Sequence, residues 1–244
     1  MSRTARLWVL AVGLAGVGVC LALAFVRLPS FGSSDHPYRD AAVPAAVQHV
    51  TANVVSAINF DQRGADTLGE ESILLGSVIG VAVLLRLVSN EDERRPSEAG
   101  RVLEPTRLLG YVMLPTTLVL GLDLILHGQV TPGGGFQGGI TLGTGIHLLY
   151  VAGTYRALER LRPMHLFEYG EAIGAGAFAV LGIAGTVTAA AFLANVLPLG
   201  SMGAVFSAGT VPLLNGAVGL EVASGVVVLL AKFLEQALVI EVDA

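Results

Sequence analysis

Residues 108–139 read LLGYVMLPTTLVLGLDLILHGQVTPGGGFQGG, and this stretch decides the fold class. From Leu108 to His127 the only acidic group is Asp123, set among leucines, valines and small residues. A bilayer core about 30 Å thick is crossed by roughly 20 helical residues at about 1.5 Å rise each, so the run is long enough to span. It ends in turn residues. Pro132 fixes φ and offers no backbone donor, and Gly133, Gly134 and Gly135 admit positive φ and close backbone approach. A second apolar run opens at Phe136, with Gly138 and Gly139 just inside it. The pattern predicts two membrane helices joined by a short connection that folds back and packs tightly on its neighbours.

The same length criterion marks six spans along the chain: Leu7–Val26, Leu68–Val88, Leu108–His127, Phe136–Gly153, Ile173–Leu197 and Val211–Phe233. The fourth is short and rich in glycine. Composition agrees with the count, since 53% of residues are apolar and 14% charged, against about 25% charged in soluble domains. The 31 glycines permit close helix–helix approach in lipid. The expected fold is therefore an all-α integral membrane protein with about six transmembrane helices. A net charge of −5 without a long charged run excludes nucleic acid as a partner. Cys20 is the only cysteine, which leaves neither a disulfide framework nor a cysteine metal site. Arg3, Arg6 and Ala22-Leu23-Ala24 give the first run some features of a signal peptide. It exceeds the roughly 7–15 apolar residues of a signal core, so it reads as a retained helix.

Orientation follows from the basic residues. With the N-terminus inside, the inner segments carry Arg3, Arg6, Arg86, Arg94, Arg95, Arg101, Arg107, Arg156, Arg160, Arg162 and Lys232, and the outer ones Arg27, Arg39 and Arg63. This asymmetry is the one expected of cytoplasmic loops, and it places both termini in the cytoplasm. The outer segment Leu28–Thr67 holds apolar residues at near-helical spacing between Ala45 and Phe60, which predicts an interfacial amphipathic helix. Mixed charges between the second and third spans read as a solvated connector. The expected organisation is a first module over residues 1–90, a cytoplasmic linker over 91–107 and a second module over 108–244.

Few ionisable residues fall inside the spans, and each needs a partner or a water-filled cavity. Glu221 lies about 15 Å into the last span at helical rise, and His147 at a similar depth in the fourth. Glu221 either lies on an ion route or pairs with a basic residue of a neighbouring subunit. Lys232 and Glu235 share its stripe and read as snorkelling to the inner interface. Asp123 and His127 stand four residues apart near the outer end of the third span. Asp66, Glu70 and Glu71 stand at the outer start of the second, as a cation-concentrating vestibule or as a helix cap completed by Glu70. His49 and His165 read as solvated, and no metal-ligand spacing is present. A glycine-rich loop before a helix can cradle phosphate, but no Gly-Lys-Ser/Thr follows this one.

The segment His127-Gly128-Gln129-Val130-Thr131-Pro132-Gly133-Gly134-Gly135-Phe136-Gln137-Gly138-Gly139 resembles the signature of the MnhB/MrpB family, a membrane component of multisubunit Mrp-type cation/proton antiporters. Asn195–Gly200, Phe206–Asn215 and Gly219–Val222 resemble its C-terminal half in the same order. Asn59–Glu71 resembles a stretch near the C-terminus of the large MrpA protein, which forms the small MbhE-like subunit of membrane-bound hydrogenases. The chain thus looks like a fusion of an MbhE-like piece with an MrpB-like piece. The resemblance implies a multi-pass subunit in a bacterial or archaeal cell membrane. Its partners would be the other subunits, the bilayer, Na+ and H+, and it would need no cofactor. It would help form the sodium-translocating part of the assembly, with Glu221, His147, Asp123, Glu70 and Glu71 as ion-path candidates. Two other roles remain open: an ion-translocating subunit of a membrane-bound hydrogenase or related respiratory complex, and an assembly scaffold only.

Overall fold

The computed structural model describes residues 2–28, 32, 34–85, 102–152 and 163–242. Backbone contacts divide the chain into Met1–Asp40 and Ala41–Ala244. The first unit holds α1 (Arg3–Val26), capped by Ser2, whose hydroxyl accepts from the Ala5 amide at 3.2 Å. No residue of α1 is buried. A helix apolar on every side is suited to lipid or to another helix and not to water.

Every regular element among the described residues of the second unit is a helix. After α2 (Pro37–Gln48) come α3 (Val54–Ala57), which runs into a π-helical turn at Ile58–Gln62, and α4 (Gly64–Leu84). Then follow α5 (Glu104–Leu126), α6 (Gly135–Ala152), α7 (Met164–Ala189) and α8 (Val211–Val242). The single amphipathic helix expected from Ala45 to Phe60 is not formed. Val50 takes a left-handed φ of 56°, an unfavourable conformation for a β-branched residue that hydropathy does not encode. The chain restarts at Asn53, whose side chain caps the Val55 amide at 3.1 Å. The π turn sets Phe60 against Phe178, with ring centroids 6.4 Å apart.

Among the described residues, five helices are long and apolar enough to cross a membrane: α1, α4, α5, α7 and α8 as far as Phe233. The remaining expected span, the fourth, is α6, a helix of 18 residues whose glycines, threonines, Gln137 and His147 keep it out of that set. It lies between α5 and α8. A Cβ on Gly138 would come 2.6 Å from the Gly121 carbonyl oxygen, and one on Gly139 would come 2.8 Å from Val222 Cβ. The residue pairings make α6 antiparallel to α5 and parallel to α8.

Two expected boundaries move. The span predicted over Ile173–Leu197 runs from Met164 to Ala189, because Ala190 takes a left-handed φ of 60° and closes the helix. Residues 190–195 then fold back, with Leu193 N donating to the Gly182 carbonyl at 3.1 Å. The last helix continues past Phe233 to Val242, so Lys232 stands within a helix and not at its end. Arg86, Arg94, Arg95, Arg101, Arg156, Arg160, Arg162, residues 91–101 of the expected linker and the Glu235 side chain lie outside the described residues. The core joins Phe60, Phe178, Leu193 and the inner faces of Val211, Leu214, Val218 and Val222.

Candidate functional site

Three glutamates from three helices meet in the interior of the second unit. Glu221 of α8 has no exposed surface, Glu71 of α4 is 2% exposed and Glu171 of α7 is 5% exposed. Helix packing brings them together. A Cβ on Gly174 would lie 2.7 Å from Glu221 Cβ, so α7 presses directly against the Glu221 backbone. One turn farther along α8, a Cβ on Gly225 would lie 3.3 Å from both Glu171 Oε1 and Val78 Cγ2. Val78 belongs to α4, two turns beyond Glu71. The glycines of α7 and α8 thus leave the volume that the carboxyls occupy.

The Glu71 and Glu221 carboxyls face one another within hydrogen-bonding reach, and the Glu171 carboxyl lies against the next turn of α8 at Gly225. Yet neither oxygen of Glu71, neither oxygen of Glu221 and not Glu171 Oε1 has a hydrogen-bond partner of normal geometry. A buried carboxylate without donors or counter-charge costs several kcal/mol. Such a cluster can bind and pass a positive charge, because a proton or a cation removes that cost whenever it is present.

The other expected residues fall elsewhere. Glu70, next to Glu71 on α4, is exposed and lines a cleft of about 160 Å³ with Ile58, Asn59, Arg63, Asp66 and Thr67. Asp66 and Thr67 do not cap α4, which begins earlier, at Gly64. Asp66 instead pairs with Arg63, and the Thr67 hydroxyl donates to the Asn59 carbonyl at 2.7 Å. Asp123 is exposed on α5, its carboxylate 2.8 Å from His127 Nδ1. His147 is half-buried on α6. The parallel α6–α8 pairing, in which Gly143 faces Val226 and Ala223, sets His147 level with Val227 to Leu230. That is about two turns beyond Glu221, so the two are not at one depth. His49 is not simply solvated, since its Nδ1 contacts the carboxylate of Asp61, which is 4% exposed. His165 is exposed on the first turn of α7.

The glycine-rich connection closes the end of the bundle where α5 and α7 finish and α4, α6 and α8 begin, here the loop end. Pro132 is exposed, while Gly133 and Gly134 have φ of 151° and 138°. Gly134 N donates to the Leu124 carbonyl at 3.1 Å, turning the chain back over α5. Side-chain amides, buried at Gln129 and Asn215 and half-buried at Asn53 and Asn195, tie the loops together at this end. Asn215 Oδ1 accepts from Gly135 N at 2.9 Å, and its Nδ2 donates to Ser56 Oγ at 3.1 Å. Asn53 Nδ2 donates to the Gly128 carbonyl at 2.7 Å and the Thr131 carbonyl at 2.9 Å. The Gln129 side chain reaches the Val205 carbonyl, and Asn195 holds Ala208 and Thr210.

Glu171 and Asn215 were not singled out by the sequence. Glu171 lies two residues before Ile173, where the predicted span begins, so it fell outside the run that hydropathy marks. The available signal was the stripe Gly170, Glu171, Gly174, Phe178, Gly182 and Gly185, all buried on one face of α7.

Comparison with known proteins adds a family. The MnhB family, described as a domain related to the MnhB subunit of Na+/H+ antiporter, matches residues 105–228. The uncharacterized protein MJ1307 of Methanocaldococcus jannaschii is 30% identical over 198 residues, covering 72% of this chain and 75% of its own length. A probable K(+)/H(+) antiporter protein of Rhizobium meliloti, named for a combined A/B subunit, is 34% identical over 142 residues, which are 48% of this chain and 14% of that protein. Two solved structures share the fold. A chain of the membrane-bound sulfane sulfur reductase, an archaeal respiratory membrane complex, superposes with a TM-score of 0.72 at 23% identity, covering 94% of this chain and 98% of that one. A chain of the Mrp complex from Dietzia sp. DQ12-45-1b superposes with a TM-score of 0.67 at 24% identity, covering 95% of this chain and 26% of that one.

Proposed function

The chain belongs to the MnhB family of Na+/H+ antiporter subunits, and on that premise we propose that Glu221, Glu71 and Glu171 lie on the ion route of a multisubunit monovalent cation/proton antiporter. The protein is a multi-pass subunit in the cell membrane of a bacterium or archaeon. The observation that carries the proposal is the convergence of three buried carboxyls, five of whose oxygens receive no hydrogen bond from a protein N–H or hydroxyl. Ionisable groups inside a membrane are expensive, and an unpartnered cluster is best explained by a positive charge that comes and goes. A scaffold role, with Glu221 held by a neighbouring subunit's basic side chain, fits poorly with a residue that has no exposed surface in its own chain. The chain acts as part of a transporter and not as an enzyme. Both termini face the cytoplasm, and residues 1–90 and 108–244 are two subunit-like pieces. The Rhizobium protein, whose name joins two antiporter components in one chain, supports that fusion.

The test is Glu221→Gln in the whole complex, reconstituted in proteoliposomes. Gln keeps the shape and loses the charge, so cation-driven proton movement should be abolished while the neighbouring subunits still co-purify. An intact variant complex that exchanges at the wild-type rate removes Glu221 from the route. Running the exchange with sodium and with potassium identifies the cation.

A second reading places the same module in a redox-driven respiratory complex. The end-to-end fold match with a chain of the sulfane sulfur reductase complex favours it. Co-purification of iron–sulfur subunits with the native protein would decide for this reading, and their absence from an active complex would decide against it.

A further inference from the structure

The three buried carboxyls form the middle of a longer line. At the loop end a cleft lined by Arg63, Asp66 and Glu70 opens to the surface, with Asp66 paired to Arg63 and Glu70 left as its second carboxylate. Glu70 is exposed and adjoins Glu71, with which it interacts. Glu71 faces Glu221, and Glu221 interacts with Glu171. Because α7 runs antiparallel to α8, Gly174 sits beside Glu221 and Glu171 sits beside Gly225, one turn farther from the loop end. Glu168 follows one turn nearer the Met164 end of α7, where it is exposed and interacts with Glu171. Exposure therefore falls from Glu70 to Glu71 at 2% and Glu221 at 0%, then rises through Glu171 at 5% to Glu168.

Spacing alone would make this only an acidic stripe. The independent observation is that Glu71 and Glu221, both almost wholly buried, aim at one another four oxygens that no protein N–H or hydroxyl reaches. Those oxygens call for a positively charged ligand. Asp123 lies off the line, on an exposed face of α5 with His127.

We infer that Glu70, Glu71, Glu221, Glu171 and Glu168 form one continuous route for a univalent positive charge, running through this chain alone from the loop-end cleft to the Met164 end of α7. The inference rests on the ion-route reading above and extends it by naming the exit. A proton and a dehydrated monovalent cation share the chemistry that the route recognises, since each neutralises a carboxylate.

The test uses the assembled complex in proteoliposomes with Glu171→Gln and Glu168→Gln. Loss of a mid-route carboxyl should slow exchange by about tenfold or more. Loss of the exposed carboxyl at the mouth, where it concentrates cations, should slow it by about threefold. If both variants exchange at the wild-type rate while Glu221→Gln is inactive, the charge does not leave along α7 and the inference fails while the ion-route reading stands. If Glu221→Gln is also fully active, that reading fails and takes the route with it. Should Glu171→Gln not assemble, Glu168→Gln and carbodiimide labelling of the unaltered complex decide. Labelling of Glu171 that stops exchange supports the route. Protection by sodium at fixed pH then assigns the charge to the cation, and indifference to sodium assigns it to the proton. Labelling of Glu171 with exchange undiminished overturns the route.

Discussion

Asn215 lies on the first turn of α8 with no exposed surface, and its amide serves three elements at once. It accepts from Gly135 N at the start of α6, donates to Ser56 Oγ in α3 and donates to its own helix at the Val211 carbonyl, 3.3 Å away. Space for it depends on two glycines. A Cβ on Gly128 would lie 2.7 Å from Asn215 Oδ1, and one on Gly134 would lie 2.9 Å from it. Asn215→Leu keeps the volume but strands the Gly135 amide and the Ser56 hydroxyl. Leaving buried polar groups unpaired costs about 1–3 kcal/mol, so the thermal midpoint of the purified complex should fall by several degrees. A midpoint unchanged in Asn215→Leu would show that the loop end is not held by this side chain.

Contact between α7 and α8 has the same character at the scale of helices, because backbone meets backbone at Gly174. There a Cβ would lie 2.6 Å from Glu221 N and 2.7 Å from the Ala217 carbonyl oxygen, whereas Gly176, two residues on, has nothing within 4 Å. Overpacking a close helix contact costs about 1–3 kcal/mol. Gly174→Ala should therefore lower the unfolding midpoint and weaken co-purification of neighbouring subunits, while Gly176→Ala should leave both unchanged. Equal behaviour of the two variants would refute close packing at Gly174. The difference between these glycines also shows what the sequence could and could not reveal. Hydropathy finds α1, α4, α5, α7 and α8 because length and apolarity are properties of a run of residues. It finds Glu221 because that carboxyl stands alone in such a run. It does not find Glu171, which becomes interior only because α7 continues nine residues N-terminal of Ile173. Nor does it separate Glu70 from Glu71, since one step of about 100° around a helix turns a surface residue into a buried one. The left-handed Ala190 and Val50 and the π turn at Ile58–Gln62 are backbone events among residues that favour no particular turn, so pattern alone is silent about them.

For the whole molecule, the apolar surface that remains must face lipid or other subunits. Ile73, Val83, Val119, Leu122, Ile173 and Val187 are all more than half exposed on the outside of the second unit, and a polytopic subunit is expected to present such a surface. The direction in which the bundle sits follows from its alternation. The helices α4, α6 and α8 leave the loop end and α5 and α7 return to it, so residues 127–134 and 190–210 share one side. The segments joining the opposite ends carry Arg86, Arg94, Arg95, Arg101, Arg156, Arg160 and Arg162, and Arg107 stands on the first turn of α5 at the same end. Basic residues in short connecting segments are retained on the cytoplasmic side, so the loop end should face outward. The alternation requires α6 to cross fully although it is not among the five helices apolar enough to span on their own, and its burial between α5 and α8 removes the need for a lipid-compatible surface all round. Alkaline phosphatase inserted after Thr131 or after Gly203 should therefore be active, because that enzyme matures only outside the cytoplasm. Green fluorescent protein fused at the C-terminus of α8 should fluoresce, because it matures only inside. An active phosphatase at Gly203 with an inactive one at Thr131 would mean that α6 does not cross. The opposite pattern throughout would invert the bundle and move the Asp66–Glu70 cleft to the cytoplasmic face.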